Sequence, residues 1–299
     1  MTAPGFLCVG DIDVDVLIGV DRLPTRDGKV NGRMLQRVPG GMAGNVAVAL
    51  ARLGARVRVL GRVGDDAEAA FALDALAAAG VDTGFVARLA GVRTFSCLAL
   101  LTPDGEKSLV KLMTEAYRPE AEDLVPAACE GVAHIHLTSV GDAALCRLVV
   151  AMARDAGASA SLDVERADCP ADPAALRAAV AGFDILFCNT ESRAALDEVS
   201  QTPLAQLVPA VVTTLGAQGA RIEAGGAAIH APGIAVAVAD TTGAGDCFAA
   251  ACLYARIARG DAWPAALRFA NHAAALSTTG LGAQSALPTL AEVEAAIGA

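Results

Sequence analysis

The chain has 299 residues and is acidic, with 23 Lys+Arg against 33 Asp+Glu for a formal charge of −10; 54 % of residues are hydrophobic, 19 % charged and 4 % aromatic. This length can bury one large core or two modest ones, and the composition excludes a disordered chain and a collagen-like one. Without any Lys/Arg block, the acidic balance argues against nucleic acid or an anionic membrane as partner. No apolar run reaches the roughly 18–20 residues of a membrane helix. The opening MTAPGFLCVGDIDVD has no basic n-region, so no signal peptide is expected and the expected compartment is the cytoplasm. None of the cysteines belongs to a C-x-x-C pair, which fits small buried hydrophobes in a reduced protein better than zinc or redox chemistry.

In chain order, FLCVG (6–10) is an apolar run of strand length. DVDVLIGV (13–20) and NGRMLQRV (31–38) follow as two strands with no helix between them. VAVALARL (46–53) has helical periodicity and stops at Gly54; RVRVLG (56–61) is a strand, and AEAAFALDALAAAG (67–80) a helix ended by Gly80. FSCLALLTPDGEKSLVKL (95–112) predicts a hairpin turning at Asp104-Gly105. Beyond it, strands at 133–140, 158–164, 184–189 and 209–216 alternate with helices at 143–157 and 173–182. Alternation of this kind predicts an α/β fold with a mostly parallel sheet covered on both faces. The strands outside the alternation, within about 13–38 and 93–113, predict a small β-sheet that acts as a lid. With no Pro/Ser linker, one domain is expected over 1–299.

Two segments carry chemistry. In VPGGMAGNVAVALARLG (38–54), Gly40-Gly41 lets backbone approach a ligand without a Cβ, and Asn45 is expected to open the following helix. In VADTTGAGDCFAAACLYA (238–255), Gly243, Ala244 and Gly245 precede an apolar helix, whose first amides make an anion site suited to phosphate. Asp246 beside an anion site repels the anion unless it has a task. General base toward an attacking hydroxyl is one reading; an N-cap, worth about 1 kcal/mol, is the other. Neither G-x-x-x-x-G-K-[ST], G-x-G-x-x-G, G-x-S-x-G nor H-E-x-x-H occurs, which removes the P-loop, ordinary dinucleotide, serine-hydrolase and zincin readings. His134 and His136 face one side of a strand, as a metal pair would, but two histidines without a third ligand read as structural.

At this point the chain resembles the ribokinase-like (PfkB) carbohydrate kinases. GGMAGNVAVALARLG resembles their N-terminal signature and DTTGAGDCFAAACL their C-terminal one. GDIDVD (10–15), VGDDAEA (63–69), VVTTLGAQGA (211–220) and FANHAAALSTTGLGAQSALPT (269–289) resemble further elements in order. The resemblance implies a doubly wound sheet with a lid, and transfer of the γ-phosphoryl of ATP to a sugar hydroxyl. It implies Asp246 as base, with Gly243, Ala244 and Gly245 as anion hole. Asp15, Gly41 and Asn45 would hold sugar hydroxyls, with Gly40 allowing close approach. Thr214, Gly216 and Gly219 would line the nucleotide, with Asn271 near the adenine. Asp240 and the Thr242 carbonyl correspond to monovalent-cation ligands in members that use K⁺. A homodimer through the lid is implied as well.

Departures from the family pattern bear on cofactor and substrate. Asn189 heads the N-x-x-E motif that helps organise Mg²⁺, but the expected Glu is Ser192 and Glu191 stands one place early. Ala286 occupies a position where many members offer a hydroxyl to the cation. Asp13 stands where Asn is common, and Met42 where ribokinases proper usually carry Lys. Lys29, Arg33, Arg37, Lys107 and Lys111 are the basic residues on the lid that a phospho-sugar would need, and Phe95 and Tyr117 the aromatics a nucleoside would need. The expected acceptor is a neutral monosaccharide, a ketose included. The alternatives are a nucleoside or phospho-sugar kinase, or a non-catalytic sugar or nucleotide sensor on the same fold.

Overall fold

The computed structural model describes residues 4–103, 107–138 and 142–298. The expected turn at Asp104-Gly105 and the last two residues of the strand expected at 133–140 lie outside them. The strands are β1 (Gly5–Val9), β2 (Asp13–Val20), β3 (Gly32–Gly40), β4 (Arg56–Val63), β5 (Asp82–Arg88), β6 (Ser96–Leu101), β7 (Lys107–Leu112), β8 (Val132–Thr138), β9 (Ser159–Val164), β10 (Ile185–Asn189), β11 (Ala210–Thr214), β12 (Ala220–Ala224) and β13 (Ala227–Ala231). The helices are α1 (Met42–Arg52), α2 (Ala67–Ala78), α3 (Ala143–Asp155), α4 (Pro173–Val180), α5 (Thr190–Val199), α6 (Leu204–Leu207), α7 (Ala244–Leu253), α8 (Trp263–Ser277) and α9 (Leu290–Gly298).

Nine strands form one sheet in the order β13-β12-β11-β10-β9-β8-β1-β4-β5, parallel except where β12 and β13 add an antiparallel edge. Neighbouring residues of β1 go to opposite faces, and all are buried. Phe6 and Cys8 join one core with Val46, Leu50, Phe248 and Phe269, while Leu7 and Val9 join another with Ile135, Leu137 and Val149. That is why a parallel strand reads as a continuous apolar run rather than an alternating one. The chain runs outward from β1 through β4 to β5, then returns to the other side of β1 and continues through β8 to β11. The strand order therefore reverses between β1 and β8, and ligands of such sheets bind beyond the carboxyl ends at that reversal.

The second sheet, β3-β2-β6-β7, pairs β2 with β6 in parallel and both hairpin partners antiparallel. It is the separate small sheet expected from the strands that do not alternate with helices.

Helix α1 begins at Met42, three residues before the start expected at Asn45. Gly41 is its N-cap at φ 85° and no local side chain caps it. Instead the carboxylate of Asp11, in the turn after β1, accepts the Met42 N–H at 3.0 Å and the Thr138 hydroxyl at 3.1 Å. A cap delivered from 31 residues away leaves no mark in the local sequence.

His134 and His136 are buried in the sheet. His134 Nδ1 lies 2.7 Å from Ser159 Oγ, and Ser161 Oγ lies 2.7 Å from both His134 Nε2 and His136 Nδ1. Burial lowers both rings to a pKa of about 3, His134 with a further push from His136. They are neutral members of a serine–histidine network in the core.

Candidate active site

Asp246 is the third residue of α7, and the N-cap is Gly243 with no side-chain cap. The N-cap reading of this aspartate is therefore wrong: its carboxylate accepts a hydrogen bond from Asn45 Nδ2 at 2.7 Å. Gln284 Nε2 donates in turn to Asn45 Oδ1 at 2.9 Å. An amide has one acceptor end and one donor end, so Gln284 fixes which end of Asn45 meets the aspartate. Burial drives the Asp246 carboxyl well above the usual range. The Asn45 bond works against this, and the charges of Asp163, Asp11 and Glu165 add to it. A base poised above the ordinary carboxylate value is suited to taking a proton near neutrality.

The helix begins at Ala244 rather than after Gly245 as expected, and its N-cap and first turn are shaped for an anion. Gly243 has φ 74°, and a Cβ there would stand 2.9 Å from the Ala283 backbone. The Ala244 N–H is already donated to the Thr241 carbonyl at 3.2 Å. Among the described residues the amides of Gly243, Gly245 and Asp246 have no protein acceptor, so they are the donors available to a phosphoryl group.

Two cavities meet at this loop. One, of about 370 Å³, is lined by Asp13, Asp15, Gly41, Asn45 and Asp246 on one side and by Asp163, Glu165 and Asn189 on the other. The second, of about 500 Å³, is more apolar and is walled by Gly216, Gly219, Val236, Val238, Phe248 and Asn271. Thr214, Thr241 and Gly245 border both. Of the expected residues, Asp15, Gly41 and Asn45 thus line one cavity and Gly216, Gly219 and Asn271 the other, while Asn189, expected with the cofactor group, lines the first.

Within the first cavity the two lid carboxylates converge over Gly40. A Cβ on Gly40 would stand 2.3 Å from Asp13 Oδ1 and 2.7 Å from Asp15 Oδ2, so what this glycine leaves room for is the acid pair. Asp13 Oδ2 accepts from the Cys97 thiol at 3.4 Å, and Oδ1, buried, has no partner among the described residues. Burial raises both carboxyls; Asp15 reaches about 6, with Lys107 pulling it down and Asp11 pushing it up. Gly41 at φ 85° would place a Cβ 2.5 Å from the Asp11 carbonyl.

Asn189 caps α5 by accepting the Ser192 N–H at 2.8 Å. Glu191 turns outward to Arg166 at 3.4 Å and is not on the cavity wall, while Ser192 is fully buried. Asn271 donates to the carbonyls of Ala231 and Pro232 at 3.0 and 2.9 Å. Asp240 accepts from the Thr242 N–H at 2.9 Å and hydroxyl at 2.6 Å through Oδ1, and from the Gly282 N–H at 2.9 Å through Oδ2. Sequence reasoning missed Asp11 and Gln284. Both stood inside quoted segments, but only the α1 start that Asp11 caps and the Asn45 amide that Gln284 holds assign them roles.

The family model of the pfkB family carbohydrate kinases matches residues 5–290. An ATP-dependent ribose-1-phosphate kinase of Halopiger xanaduensis is 35 % identical over 297 residues, covering 97 % of this chain and 96 % of that protein. The ribokinase of Bacillus subtilis is 32 % identical over 296 residues, covering 96 % and 98 %. The structure of Arabidopsis thaliana ribokinase complexed with ribose and ATP superposes with a TM-score of 0.84 at 26 % identity, covering 99 % of this chain and 98 % of that one. A glycine loop between two cavities and a match along nearly the whole chain agree: the protein belongs to the pfkB family of carbohydrate kinases, phosphotransferases that act on a hydroxyl group.

Proposed function

We propose that this enzyme transfers the γ-phosphoryl group of ATP to a hydroxyl of a neutral monosaccharide, with Asp246 as general base. The observation that carries the reading is the seat of Asp246: inside the carboxylate-lined cavity, one residue from Gly245, which borders both cavities. ATP fits the apolar cavity, its terminal phosphate on the amides of Gly243, Gly245 and Asp246. The sugar fits the other cavity, its hydroxyls donating to Asp15 and to the unpartnered Asp13 Oδ1. The attacking hydroxyl gives its proton to Asp246 as its oxygen bonds to phosphorus and ADP leaves. Asn45, held by Gln284, keeps the receiving carboxylate in place.

The acceptor is neutral because the cavity wall is acidic. Asp11, Asp13, Asp15, Asp163, Glu165 and Asp246 face Lys107 and Lys111, and Lys111 is already bonded to Glu165 at 2.7 Å. Lys107 is the one lysine of this wall not already paired with a carboxylate among the described residues, which leaves a sugar phosphate little to neutralise it. Mg²⁺, which supplies charge neutralisation to phosphoryl transfer, finds no carboxylate at buried Ser192. The oxygen donors that suit it, through water, are Asp163 and Glu165 at the end of β9.

The exposed Met34 of β3 and Leu112 and Met113 at the end of β7 support pairing of two copies through this sheet, since exposed large apolar side chains mark association surfaces. The activity is tested by ADP release with MgATP across neutral aldoses and ketoses, nucleosides and phospho-sugars. Turnover with a neutral monosaccharide, at least about tenfold above its phosphorylated counterpart, is expected, a ratio worth about 1.4 kcal/mol. Turnover confined to phospho-sugars would overturn the neutral acceptor, and turnover with none of them would favour the sensor reading.

A further inference from the structure

Lys107 stands apart from the other lid cations. It is the first residue of β7, and its Nζ donates to Thr242 Oγ1, so the lid is bonded to the segment that enters the glycine loop. It borders the main cavity, and also the small cleft where lid residues Asp15, Leu17 and Leu109 meet Asp240, Thr242 and Gly282. Lys111 is committed to Glu165 and covers the Tyr117 ring at 5.6 Å, whereas Lys107 has no carboxylate ion pair among the described residues.

Of the residues that correspond to monovalent-cation ligands, Asp240 is already engaged within the protein. Both oxygens of Asp240 already accept hydrogen bonds, Oδ1 from the Thr242 N–H and hydroxyl and Oδ2 from the Gly282 N–H. Burial pushes the Asp240 carboxyl up, but these bonds and the charge of Lys107 hold it below its ordinary value. Ala286 adds no hydroxyl. The loop nonetheless needs positive charge, since the cavity wall is acidic and position 192 supplies no metal-organising carboxylate.

We propose that Lys107 is a catalytic residue: a cation carried by the lid, which reaches the transferred phosphoryl group on closure and makes a monovalent cation unnecessary. The proposal rests on the phosphotransfer reading above. A lysine ammonium has three donors. One holds Thr242 Oγ1, next to Gly243, and two are free for the phosphoryl oxygens bound on the neighbouring amides. Negative charge spreads over those oxygens in the transition state, where a fixed cation in a closed site acts most strongly. Mounting the cation on the lid ties neutralisation to closure, so an open site is a weak phosphotransferase toward water.

The test compares the full-length protein with Lys107→Met and Lys107→Arg. The first readout is independent of turnover: the thermal midpoint with a non-hydrolysable ATP analogue and Mg²⁺, in KCl and in tetramethylammonium chloride of equal strength. The wild type is expected to show the same midpoint in both salts; a K⁺-selective rise would overturn the proposal. The second readout is kcat/KM on the accepted sugar. Lys107→Met is expected to lose about a hundredfold, as for one electrostatic donor at a developing charge, with Lys107→Arg between it and wild type. ATP affinity should be little changed in both. A Lys107→Met enzyme with wild-type kcat/KM, or a wild type that K⁺ activates, would overturn the proposal. Failure of the wild type to phosphorylate any sugar would instead overturn the phosphotransfer reading, leaving the salt comparison to decide whether Lys107 fills the cation's place.

Discussion

At the residue scale the site works through pairs that lie far apart in sequence. Asp246 and Asn45 are 201 residues apart, and Asn45 and Gln284 are 239 apart. Asp246 and its glycines were legible because an anion-binding helix start is a contiguous device: the small residues, the amides and the acid occupy one turn. Gln284 was not, because its only role is to hold an amide delivered by another helix. That role has a measurable signature. Gln284→Leu leaves Asn45 free to rotate its carbonyl toward Asp246, so kcat is expected to fall about tenfold or more while the sugar KM changes little. Gln284→Glu, which also cannot donate in its ionised form, should behave alike. Steady-state kinetics separates this from a packing defect, which would move stability without the kcat effect.

At the scale of elements, strand positions followed from apolar runs, and the lid strands from the break in strand–helix alternation. The start of α1 did not follow, since Asp11 supports its first turn through a tertiary contact. The polar content of β8 and β9 was only half legible: two histidines on one face are visible in the sequence, but not that serines of the adjoining strand would bond both nitrogens of His134 and Nδ1 of His136. Their burial has a consequence for pH. A histidine of pKa about 3 in the fold and about 6.5 unfolded makes the unfolded state the stronger proton binder between those values. Its contribution to stability is therefore complete above about pH 6.5 and is lost progressively as pH falls toward 3. Half-buried Asp163, raised to about 7 by desolvation, acts with the opposite sign, so the informative quantity is a difference between variants. Between pH 7.5 and 5, wild type should lose about 2 kcal/mol more than His136→Phe in urea unfolding. An equal loss in both would show that His136 does not titrate on unfolding as described.

For the whole molecule, an acidic chain binding a polyanionic nucleotide is reconciled by where the charges lie. Carboxylates crowd the cavity proposed for the sugar, the cavity proposed for the nucleotide is largely apolar, and backbone amides stand between them. Lid and core are joined across this boundary by Lys107 and by Lys111 with Glu165. The small sheet, proposed here as a lid, has an outer face as well. Exposed Met34 and Met113 give the expectation of a dimer by sedimentation, and Met34→Lys with Met113→Lys should shift it toward monomer; an unshifted wild-type monomer would contradict pairing through the lid. The central claim concerns Asp246, and replacing it by Asn tests that claim most directly. With a neutral sugar as acceptor, Asp246→Asn is expected to lower kcat roughly a thousandfold, within the span a positioned base supplies, while ATP and sugar still bind. In the wild type, kcat/KM should rise with pH along an acid limb whose midpoint lies above the ordinary carboxylate range, a limb that Asp246→Asn abolishes. Near-wild-type kcat in that variant, or an unchanged acid limb, would contradict the account.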